Sequence, residues 1–78
     1  MMDIEAFTKN LEAEFEDMKP GTLMPDTNYK TIQGWSSMHA LIIIAFIDTH
    51  FNIILSGTDL RSASSVRDLY NLVIEKSN

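Results

Sequence analysis

Ser37 stands directly before the most apolar stretch of the chain, preceded by Gly34-Trp35-Ser36 and followed by Met38. A serine opening a helix lies where backbone N–H groups lack partners and the helix dipole is positive. A phosphate ester on its hydroxyl would be favoured there, as anions generally are at helix starts. The plainer use of such a serine is as an N-cap, and either Ser36 or Ser37 could fill that role. Gly34 and the loop around it leave the Ser37 hydroxyl open to a modifying enzyme.

Other chemistries are poorly served. His39 and His50 are eleven residues apart, about 16 Å along one helix and too far for one metal ion. No metal site is expected. Ser37 and His39 cannot form the heart of a Ser/His/Asp triad, because residues two apart on a helix do not face each other. Nothing in the sequence supplies an oxyanion hole, so no catalytic residue is expected. The absence of cysteine removes thiolate nucleophiles, thiolate metal sites and disulfides together.

Composition narrows the partners. Six Lys/Arg against eleven Asp/Glu give a formal charge of −5 over 78 residues, enough chain for one small domain. Nucleic acid is not an expected partner, since phosphate binding needs clustered cations; a basic groove on another protein is the natural complement. Met2-Asp3-Ile4-Glu5 lacks the basic-then-apolar pattern of a signal peptide. The longest apolar run, residues 40–47, is far short of the roughly 20 residues of a membrane span. A soluble, cytoplasmic protein is the expectation.

The elements that must position Ser37 are helical. Ile4, Phe7, Leu11, Phe15 and Met18 form one stripe, with Asp3 as N-cap and Pro20-Gly21 as the stop. Residues 20–36 form a long connection holding both prolines and two of the three glycines. Its apolar members, Leu23, Met24, Tyr29, Ile32 and Trp35, predict a loop packed over the core. Residues 38–51 contain the β-branched run Leu41-Ile42-Ile43-Ile44, yet their length without Gly or Pro predicts a helix. Leu41, Ile44, Ile47 and Phe51 are expected to face inward, and Met38, His39, Ile42 and Thr49 outward. A turn at 52–57 leads to a short helical turn at 58–63 with Leu60 inward. Ser65-Val66-Arg67-Asp68 reads as a capping box, opening a last helix with Val66, Leu69, Tyr70, Val73 and Ile74 on one face.

Several of these segments resemble one known family in register. Gly34-Trp35-Ser36-Ser37-Met38 resembles the G-x-D-S-[LM] attachment motif of acyl and peptidyl carrier proteins. Fourteen residues after Ser37 begins Phe51-Asn52-Ile53-Ile54-Leu55, similar to the F-D-I-x-[IL] that closes the family's second helix. Asp59 and Leu60 fall in the family's short third helix, and Ser64-Ser65-Val66-Arg67-Asp68-Leu69 is similar to the T-[TV]-x-D-[AL] opening of its last. Tyr29 sits where carriers usually hold a loop aromatic. The resemblance covers residues 29–74 without gaps, and the first helix agrees in pattern.

The resemblance implies an all-α, four-helix acyl-carrier-like bundle with three main helices, a short third helix and a long first loop. It implies a 4'-phosphopantetheine arm on Ser37, transferred from coenzyme A by a phosphopantetheinyl transferase with Mg²⁺. The arm would carry acyl groups as thioesters between acyl-loading and acyl-processing enzymes, the chain itself being a non-catalytic monomer. Ser36 replaces the family's usual Asp, and His39, Ile42 and Thr49 occupy positions that are often acidic, leaving Asp48 as the main negative charge of the second helix. Partner contacts are expected at Met38, His39, Ile42, Trp35 and Asp48, with apolar contact at Met38 and Ile42 used more than charge. Trp35 is either a partner anchor or a packing residue that fixes the approach to Ser37. These departures point to dedicated partners in a specialised fatty-acid, polyketide or related pathway. A peptidyl or D-alanyl carrier shares the same arm, and a non-carrier helical interaction module would use the apolar face of the second helix.

Overall fold

The computed structural model describes residues 2–77. Four α-helices follow in order among them: α1 Ile4–Glu12, α2 Ser37–Phe51, α3 Gly57–Ser62 and α4 Val66–Ser77. A single 3₁₀ turn, Tyr29–Thr31, interrupts the long first loop. The only extended pairing in the described residues is an isolated bridge between Asn28 and Ser65. The chain is thus an all-α, four-helix bundle.

α1 starts as its sequence requires, with Asp3 Oδ1 accepting the Ala6 N–H at 2.9 Å. It ends at Glu12, earlier than the expected stop after Lys19. The Glu12 carboxylate explains the difference. It accepts the Gly21 N–H at 3.1 Å and the Leu23 N–H at 2.8 Å, drawing the loop back across the end of α1. Tight turns carry the chain through residues 13–17, with Glu14 and Phe15 N–H groups donating to the Leu11 and Glu12 carbonyls. Phe15 is still buried, so its place on the stripe outlasts the helix that predicted it.

α2 is a helix despite its β-branched run, but its buried face is rotated from the expected one. Ile43, Phe46 and Ile47 are buried, Ile44 and Phe51 are half-buried, and Leu41 is 65% exposed. Ile42 and His39, expected outward, are also half-buried. The reason is that α2 is apolar nearly all round, so periodicity does not select a face. Phe7 of α1 selects it, meeting Phe46 at 5.7 Å, Phe51 at 5.8 Å and Tyr70 of α4 at 5.3 Å between ring centroids.

α3 is capped by Ser56, with Asp59 closing the box and Leu60 buried. α4 opens on the expected box. Asp68 N–H donates to Ser65 Oγ at 3.1 Å, and Asp68 Oδ2 accepts the Ser65 and Ser64 N–H groups at 3.0 and 2.9 Å. Those N–H groups, Ser65 first, hold the Asp68 carboxyl below its ordinary 3.8. Val66, Leu69 and Val73 are buried, Tyr70 is half-buried and Ile74 lies at the exposed edge. The long loop packs over the core as expected. Val66 N–H donates to the Thr27 carbonyl and Arg67 N–H to that of Pro25, which ties the loop to the start of α4. No helix of the described residues is long and apolar enough to cross a membrane.

Candidate functional site at the start of α2

The approach to α2 is set by an aromatic cluster. Gly34 takes a φ of +83°, a left-handed conformation that glycine adopts at no steric cost. The chain then delivers Trp35 half-buried onto the loop, its ring centroid 5.3 Å from Tyr29 and 5.1 Å from His39. Tyr29 is 1% exposed, and its hydroxyl donates to the Leu60 carbonyl at 3.1 Å, with the Ala63 carbonyl at 3.4 Å. Burial, and then the charge of Asp68, push its phenol up to about 12. Tyr29 thereby joins the loop to the end of α3 at one buried point.

Ser36, not Ser37, is the cap. Its backbone is extended (φ −143°, ψ 173°) and takes the N-cap position, where its side chain makes no cap hydrogen bond of its own to a first-turn N–H but meets the His39 side chain in a capping-box arrangement. Ser36 N–H donates to His39 Nδ1 at 3.3 Å, and Ser36 Oγ lies 3.0 Å from the same nitrogen. A nitrogen that accepts a backbone N–H carries no proton, so the Ser36 hydroxyl also donates to it. The other ring nitrogen, Nε2, faces Asp17 Oδ2 at 3.9 Å. His39 lies stacked on Phe15 at 5.3 Å, and its side chain is only 17% exposed. It is part of the scaffold of the site more than of its surface.

With the cap supplied by Ser36, Ser37 falls in the first turn of α2 and is exposed. It lies on a cleft of about 380 Å³ between the loop, α2 and α3. Trp35 lines this cleft as well. Met38 is 67% exposed and turns to the other side, where it borders a second hollow with His39 and Ile42, beside Glu14, Glu16 and Asp17. Asp48 is exposed three turns further along α2, about 16 Å from Ser37, and is not brought to the site. His50, near it, lies against the Phe46 ring at 4.6 Å. The described residues contain no group of three or more His, Asp or Glu side chains placed to hold a metal ion.

Two features of the site escape the sequence reading. The Ser36–His39 pairing has a local signal, a serine followed three residues later by a side chain able to accept, although histidine is not the usual Glu or Gln. Lys30, Arg61 and Leu41 on the cleft have none, because the loop, α3 and α2 meet there only in the folded chain. Comparison with protein-family models, with curated proteins and with solved structures finds no match to this chain.

Proposed function

We propose that the chain is a carrier protein, bearing a 4'-phosphopantetheine arm on Ser37 for a specialised fatty-acid, polyketide or related pathway. The observation that carries this reading is the division of labour between the two serines. Ser36 and His39 occupy the capping position, so the exposed Ser37 hydroxyl in the first turn is free of a structural task. A phosphodiester there would face the positive end of a 15-residue helix. The motif resemblance around Ser37, Phe51 and Ser65 supports the same assignment.

The residues present suit such a group. The Ser37 oxygen would attack the pantetheine-bearing phosphorus of coenzyme A, breaking the P–O–P bridge so that adenosine 3',5'-bisphosphate leaves, while the serine proton passes to a base of the transferase. When attached, the arm supplies a terminal thiol that holds acyl groups as thioesters. The chain's own residues present and orient: Trp35 and Tyr29 stiffen the loop before Ser37, while Met38 offers an exposed apolar contact to partner enzymes in the cytoplasm.

Incubation with coenzyme A, Mg²⁺ and a promiscuous phosphopantetheinyl transferase tests this, read by intact mass. One phosphopantetheine increment should appear, vanish in Ser37→Ala and persist in Ser36→Ala. No increment under conditions that load a control carrier would sink the reading. It would favour the non-carrier interaction module, to which the exposed Met38, Leu41 and Ile54 side chains lend some support.

A further inference from the structure

The cleft beside Ser37 is two-faced. Ala40, Leu41 and Ile44 of α2, with Leu60 of α3, give it apolar walls. Lys30 from the loop and Arg61 from α3 line it too, and no carboxylate does. On a chain with six cations and eleven anions, two of the six border one apolar cleft.

Both cations are held in place. Lys30 Nζ donates to the Arg61 carbonyl at 3.0 Å, and Arg61 Nη2 donates to Thr58 Oγ1 at 3.1 Å. Neither ends in an ion pair of its own within 4 Å among the described residues. The carboxylate that feels the charge of Lys30, Asp68, is already engaged by the Ser64 and Ser65 N–H groups. A volume of about 380 Å³ lies within the range of small-molecule sites, about 300–1,000 Å³.

We propose that this cleft is a non-covalent binding site for an anionic amphiphile, whose chain lies along Ala40, Leu41, Ile44 and Leu60 while its head group pairs with Lys30 and Arg61. The site needs no modification of Ser37. Charge complementarity selects the occupant: a neutral chain would leave both cations unanswered, and a cationic one would be repelled. The head group is either a carboxylate or a phosphate, both of which a lysine and an arginine can bind.

Trp35, the one tryptophan of the chain, lines the cleft and reports its occupancy by fluorescence. The unmodified protein is titrated with decanoate, decyl phosphate, 1-decanol and decyltrimethylammonium, each below its micelle concentration. The two anions should saturate a single site, and whichever binds more tightly names the head group. Lys30→Ala and Arg61→Ala should each weaken anion binding about ten-fold, the loss of one charge-assisted contact, and Lys9→Ala on α1 should not. Raising salt from about 50 mM to about 500 mM should weaken anion binding to the unaltered protein as the charges are screened. This keeps the test valid if a variant fails to fold. Decanol or the ammonium binding as tightly as the anions would overturn the proposal, as would salt-independent anion binding. No transferase enters this experiment, so its failure leaves the loading of Ser37 untouched, and failure to load leaves this site standing.

Discussion

The hydroxyl of Ser36 lies 3.0 Å from Nδ1 of His39, and the same nitrogen accepts the Ser36 backbone N–H at 3.3 Å. One imidazole therefore answers two groups at the start of α2 and stacks on Phe15 behind them. Removing a cap side chain costs about 0.5–2 kcal/mol. Ser36→Ala and His39→Ala should each lower stability by about 1 kcal/mol in urea unfolding, and the double variant by less than their sum. Ser37→Ala should stay within about 0.5 kcal/mol of the unaltered protein. Equal losses at Ser36 and Ser37 would remove the division of labour on which the carrier reading stands.

Tyr29 sets the alkaline limit. Its phenol, raised from 10.0 to about 12 by burial and by Asp68, is neutral in the fold and ionises more readily once unfolded. A raised folded value means that its contribution is complete below pH 10 and is lost as pH climbs through about 12. The urea midpoint should fall across that window, and Tyr29→Phe should flatten the fall. The same substitution strips the Leu60 carbonyl of its donor and should cost about 1–2 kcal/mol at neutral pH. An unchanged alkaline profile in Tyr29→Phe would place the sensitivity elsewhere.

The fold was legible where polarity contrasts. α1 and α4 each alternate apolar and charged residues, so Phe7, Leu11, Val66, Leu69 and Val73 are all buried as their spacing requires. α2 offers no such contrast: Leu41, expected inward, is exposed and Ile43, assigned to neither face, is buried, because only the partner helices could choose between them. The end of α1 was hidden for a different reason: Glu12 reads as one more surface acid until the Gly21 and Leu23 N–H groups arrive from nine and eleven residues away. Ser37 was legible as a candidate from its neighbours, whereas the cap that frees it depends on which way the His39 ring turns. The cations of the cleft, 31 residues apart, belong to no local pattern.

That hidden role of Glu12 gives a prediction of its own. Glu12→Ala leaves the Gly21 and Leu23 N–H groups without their acceptor, and charge-assisted hydrogen bonds of this kind are worth about 1.5–3 kcal/mol. Stability should fall by about 1–2 kcal/mol, since solvent replaces part of the loss. Amide exchange should quicken most at Gly21 and Leu23, while the Tyr29 end of the loop keeps its protection through Leu60. Uniform quickening across the whole loop would mean that it unfolds as one unit and that Glu12 is no separate latch.

Asn52 closes α2 in the left-handed region, at φ 57° and ψ 38°, with its N–H donating to the Asp48 carbonyl at 2.9 Å. It is the one residue other than glycine with positive φ among those described. Asparagine tolerates this conformation and glycine adopts it freely, whereas a side chain such as alanine's meets the adjoining carbonyl at about 1–2 kcal/mol. Asn52→Gly should therefore match or exceed the unaltered protein, and Asn52→Ala should lose about 1 kcal/mol in thermal or urea unfolding. The carrier motif holds Asp at the matching place, and Asp also enters the left-handed region. Asn52→Asp should then fold normally but add a negative charge near the carbonyl end of α2, which opposes the dipole there. Its stability should lie between those of the glycine and alanine variants and approach that of the asparagine as salt rises. If glycine proved the least stable of the three, the Asn52 side chain would be holding the turn, and the backbone geometry would not be the reason for its presence.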